Sequence, residues 1–152
     1  MFLAFGIGFV AGLRCATAPG VVAWAAHLEW INLHGSPLAF VGSEWAVAIF
    51  TIFAVGELVA DKLPTTPART SAVGLSARIV TGALTGACLA VAGGAFLWLG
   101  ALAGAFGAVA GTFGGFQARV GLVRALRAPD FAVAIPEDLI AIGLGLSLVS
   151  RF

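Results

Sequence analysis

The stretch FLAFGIGFVAGLRCATAPGVVAWAA, Phe2 to Ala26, carries one charge, Arg14, and one proline, Pro19, inside an otherwise apolar run. Arginine is costly to bury and proline breaks helices. Their shared place in GLRCATAP (Gly12–Pro19) marks this part of the first segment as facing protein or a wet cavity, not lipid.

The rest of the chain sets the environment. Of its 152 residues, 61% are hydrophobic and 10% charged, with mean hydropathy +1.07. A soluble domain carries about a quarter charged residues, so the composition is that of an integral membrane protein in a lipid bilayer. The net charge of +1 says nothing about nucleic acid, and with no basic patch or zinc spacing no nucleic-acid partner is expected. Cys15 and Cys88 lie in apolar segments and read as small hydrophobes. No basic region precedes the first segment, which therefore reads as retained.

Five apolar runs approach the roughly 20 residues a crossing helix needs: Phe2–Ala26, Leu38–Ala60, Ile79–Leu99, Gly100–Ala118 and Phe131–Val149. The fifth is the weakest, because Pro136, Glu137 and Asp138 interrupt it. The expected fold is all-α, one integral membrane domain over residues 1–152 with five transmembrane helices. Lys62, Arg69, Arg78, Arg119, Arg124 and Arg127 fall on one side and Arg151 on the other. The positive-inside rule then places the chain in the cell (inner) membrane, N-terminus cytoplasmic and C-terminus outside. Trp24, Trp30, Trp45 and Trp98 fall at the outer ends of their spans, as interfacial tryptophans do.

Within the chain, GFVAG (Gly8–Gly12) resembles GAVAG (Gly107–Gly111), and Glu44 aligns with Glu137. This suggests two inverted helix pairs, residues 1–62 and 100–152, joined by a connector helix over 78–99. GLRCATAP then falls opposite TFGGFQAR (Thr112–Arg119), so Pro19 in one half and the pair Gly114 and Gly115 in the other are the expected helix interruptions.

Arg14 lies about 18 Å along a helix from Phe2, near mid-depth, and needs an acidic partner. Glu57 is the leading candidate, with Asp61 one turn further on the same face. Glu137 and Asp138 read as caps opening the last helix. Arg69 and Arg78 read as contacts to lipid phosphate or loop carboxylates. His27 and His34 have no partners at metal-ligand spacing, so neither metal nor cofactor is expected. Glycines spaced by four (Gly8/Gly12, Gly82/Gly86, Gly100/Gly104, Gly107/Gly111/Gly115) permit close helix contacts, and the helix-four stripe suits a homodimer seam.

At GLRCATAP, FVGSEWAVAIFTIFAVGELVADKLPTTP and PEDLIAI the chain resembles the membrane family catalogued as domain of unknown function 4126. The resemblance rests on Gly12, Leu13 and Arg14, on Glu57, Ala60, Asp61 and Lys62, and on Glu137 and Asp138. It covers nearly the whole chain and implies the fold and the choice of residues, leaving the activity open. The functional expectation is a small channel or transporter whose path or buried polar cluster involves Arg14, Thr17, Glu57, Asp61, Gln117, Glu137 and Asp138. The alternative is a non-transporting module that binds a protein partner or organises lipid. No Ser–His, metal-ligand or nucleophilic Cys arrangement suggests an enzyme.

Overall fold

The computed structural model describes residues 1–60, 70–126 and 130–152, the side chains at 126 and 130–132 excepted. Among the described residues the regular structure is helical, with no strand: α1 (Phe2–Leu13), α2 (Thr17–His27), α3 (Glu44–Ala60), α4 (Ala72–Ala92), α5 (Leu97–Leu126) and α6 (Asp130–Val149). Local chemistry explains several boundaries. Arg14 turns extended (φ −139°, ψ 108°) and ends α1. Pro19 sits in the first turn of α2, where a backbone N–H has no intrahelical acceptor, so it opens a second helix instead of bending one long one. The Ser71 hydroxyl accepts from the Gly74 N–H and caps α4, which starts well before the expected Ile79. Gly94, at φ +69°, supplies the left-handed residue of the turn into α5.

One expected interruption is absent, and one expected helix start is moved. α5 runs unbroken through Gly114 and Gly115, because glycine weakens a helix without removing a hydrogen bond. α6 begins at Asp130 and continues through Pro136, so Glu137 and Asp138 lie inside the helix and do not cap its start.

The register of the contacts shows that α1 and α2 run in opposite directions. Gly6 lies against Leu148 near the end of α6, Arg14 pairs with Asp138 ten residues back, and Val21 lies against Gly145 near the end again. The packing partners agree. Gly82 meets Gly104 and Ala108 while Gly86 meets Gly100 and Gly104, which makes α4 and α5 antiparallel. Gly8 meets Gly104 while Gly12 meets Ala108, Gly111 and Thr112, which makes α1 parallel to α5. α2 is antiparallel to α3, with Cys15 and Ala16 at Glu57, Gly20 at Phe50 and Ala54, and Ala26 at Gly42.

Phe2–Ala26 is therefore not one span but a helical hairpin with its tip at Arg14–Ala16. Its arms of 12 and 11 residues reach about 18 and 16 Å, half the roughly 30 Å of a bilayer's hydrocarbon. The reversal brings the N-terminus to the end of the bundle that holds the C-terminus, where Phe152 touches Gly93. The expectation of termini on opposite faces is corrected accordingly. The expected inverted repeat is not supported: α3 and α6 oppose each other as inversion requires, but α1 and α5 point the same way. Because α3 to α6 alternate in direction, Trp24, Trp30, Trp45 and Trp98 gather at one end of the bundle.

α1, α4 and α5 form a tightly packed trio along their glycines, so the stripe from Gly100 to Gly111 is spent inside the chain and offers no free glycine face. α2 packs between α3 and α6. Large apolar side chains face outward, among them Trp45, Ile52, Val73, Phe106 and Leu139, while Arg14 and Thr112 are fully buried. Two helices, Ala72–Ala92 and Leu97–Ala125, are long and apolar enough to cross a membrane.

Candidate functional site

The hairpin tip leaves backbone N–H groups at Cys15 and Ala16 that no helix can satisfy. Glu57, in the last turn of α3, supplies the acceptors. Cys15 N–H donates to its Oε1 at 2.7 Å and Ala16 N–H to its Oε2 at 2.8 Å. The carboxylate thus sits on the positive end of α2 and holds the non-helical backbone in place. On its other side, Arg78 of α4 brings Nη2 to 3.8 Å from Glu57 Oε1. The Arg78 Nη1 donates to the Gly74 carbonyl at 3.0 Å, and its buried Nε meets no acceptor.

Arg14 is 1% exposed and forms its ion pair with Asp138, which is 8% exposed. Asp138, expected only as a cap, is thus an ion-pair partner of Arg14, with the Glu57 that the sequence suggested also close enough to feel its charge. The reversal after Arg14 turns the side chain toward α6 and gives Glu57 to the following two amides. A third pair, Arg119 Nη1 to Glu137 Oε2 at 3.3 Å, links α5 and α6. Three guanidiniums therefore face three carboxylates, which limits the cost of burying any one of them. Hydroxyls complete the lining. Thr112 donates to the Ala108 carbonyl at 2.8 Å and to the Gly12 carbonyl at 3.4 Å, satisfying the end of α1. Cys15 Sγ lies 3.6 Å from Thr81 Oγ1.

The expected residues divide. Arg14, Glu57 and Asp138 meet around the tip, with Thr17 buried at the start of α2 and Pro19 behind it. Glu137 belongs to the neighbouring pair with Arg119. Gln117 is exposed on α5 and does not join the cluster. Asp61, with Lys62 and Arg69, lies outside the described residues. Gly115 lines a groove of about 400 Å³ with Phe9, Leu13, Leu122, Val133 and Ile140, with Arg119 and Glu137 also on its wall.

Sequence reasoning missed Arg78, which is 6% exposed and not a surface contact for lipid phosphate. The usable signal was Ser71, whose capping moves the start of α4 back by nearly two turns and puts Arg78 within the helix. Thr81 and Thr112 gave no signal, because isolated threonines in apolar helices are commonplace and only the tip's position singles these out.

Residues 1–150 match the family model described as Domain of unknown function (DUF4126). Neither a curated protein nor a solved structure matches the chain.

Proposed function

We propose that this chain, which belongs to the family Domain of unknown function (DUF4126), is an inner-membrane protein that carries a small solute or ion past the hairpin tip. In this reading α3, α4, α5 and α6 cross the bilayer, and α1 and α2 enter and leave it from one side as a re-entrant hairpin. The outward apolar surface and the buried charges support a lipid surround, since water would reverse that preference. In this reading the α3–α4 and α5–α6 ends face the cytoplasm and both termini lie outside, which the basic residues near those connections support.

One observation carries the transport reading: the backbone unwinds beside two buried guanidiniums, Arg14 and Arg78. Non-helical backbone at membrane depth is tolerated where it is buried in protein or lines a cavity, and broken helices of this kind build transporter sites. The test is flux of ions and small neutral solutes into liposomes containing the purified chain. Replacing Arg14→Leu together with Asp138→Leu removes the pair without stranding either charge, and should abolish flux while leaving the fold intact. Unchanged flux for every conducted solute would take Arg14 out of the path.

A second reading, a lipid-organising module, is favoured by the apolar groove between α1, α5 and α6 with its Arg119–Glu137 pair. A stoichiometric co-purifying lipid, lost on Gly115→Phe, together with no flux from the wild-type protein, would select it.

A further inference from the structure

The amides at the tip form an anion site, and a side chain of the same protein occupies it. We propose that Cys15 N–H, Ala16 N–H and the Arg78 guanidinium bind a small monovalent anion, and that Glu57 is the tethered occupant the anion replaces. This deepens the transport reading by naming the class of solute.

Two independent features support it. The first is the entry to α2, an 11-residue helix: the amides of the two residues just before it, Cys15 and Ala16, both donate to one carboxylate. Such amides and the helix dipole favour negative charge. The second is Arg78. It is buried, its Nε has no acceptor, and its Nη2 stops 3.8 Å from Glu57, beyond hydrogen-bond reach. A carboxylate fixed to α3 can satisfy both amides but is held short of the guanidinium. An untethered anion has no such restraint and can accept from the amides and from Arg78 together. Guanidinium donors to an anion are among the stronger hydrogen bonds available to a buried site, and Arg78, although it donates to the Gly74 carbonyl and faces Glu57, keeps its Nε without an acceptor. Gly56, next to Glu57, has open space beside it, so the glutamate's own turn is not wedged against a neighbouring helix.

The test uses the purified full-length chain in detergent, with sodium formate as the probe and sodium gluconate, too large for the tip, at equal ionic strength as the control. In Glu57→Ala the melting temperature should rise saturably with formate and not with gluconate. The wild type, with its site filled, should show a smaller rise at every formate concentration. Adding Arg78→Met to Glu57→Ala should remove the formate response. Should Glu57→Ala not fold, Glu57→Gln retains one acceptor for the amides and should still show a formate-specific rise of smaller size. Identical formate and gluconate curves in every folded variant, or a wild-type response equal to that of Glu57→Ala, would overturn the site. Binding here needs no flux. Formate binding without flux keeps the site and removes transport, whereas flux of cations or neutral solutes without formate binding does the reverse.

Discussion

Replacing Gly104 with alanine tests the packing that positions the hairpin. A Cβ built there lies 2.9 Å from the Gly82 carbonyl carbon and 3.0 Å from the Gly86 Cα, and meets the Gly82 oxygen still more closely. All three are backbone atoms of α4, so no side chain can rotate away. Restoring ordinary contact requires α4 and α5 to part by roughly 1 Å, and a gap of that size forfeits up to about half the dispersion energy of each contact along the seam. The expected cost is about 2–3 kcal/mol, at the upper part of the range for overpacking. Gly56→Ala and Gly143→Ala are the controls, because a Cβ at either meets nothing within 4 Å. Relieved of glycine's entropy, these helices should gain about 0.5–1 kcal/mol. One substitution type should therefore give opposite signs, separated by about 3 kcal/mol, or roughly a hundredfold in folding equilibrium. Reversible unfolding in mixed micelles, followed by far-ultraviolet circular dichroism, measures the difference. A Gly104→Ala protein as stable as either control would refute the close α4–α5 approach, and with it the register that assigns α1 its direction.

Other outcomes follow from the same geometry. Asp138→Ala leaves the Arg14 charge buried beside a lost partner and should destabilise the chain by about 3 kcal/mol, whereas Arg14→Leu with Asp138→Leu should cost far less; equal losses in micelle unfolding would mean the two groups are not coupled. Arg119→Ala takes a guanidinium from Glu137, whose side chain is 11% exposed, and should likewise cost about 3 kcal/mol; a loss below about 1 kcal/mol, the worth of a surface pair, would contradict this. Cysteines placed at Phe2, Ser150 and Gly121, one at a time in a Cys15→Ser, Cys88→Ala background, should label from the same face for the first two and from the opposite face for the third. Labelling of positions 2 and 150 from opposite faces would restore a single crossing for the first segment.

Composition alone determined the helical class and the apolar exterior, because 61% hydrophobic residues leave few soluble alternatives. The residues that matter at the tip were also legible: Arg14 and Pro19 stood out against their surroundings, and Glu57 and Asp138 were among few acidic groups in apolar segments. The tryptophan and arginine patterns carry the proposed orientation of α3 to α6, yet they could not reveal the hairpin. An apolar run of 25 residues has the same hydropathy whether it crosses once or turns back halfway, and a reversal that starts and ends on one side leaves every later helix direction unchanged. Tertiary structure decided that turn, through amides at Cys15 and Ala16 that needed a carboxylate from a helix some 40 residues away. It decided the ion pairs as well. Which carboxylate meets which guanidinium depends on depth and facing, and both are set by glycine-permitted helix approach, a property of pairs of helices that no single segment encodes.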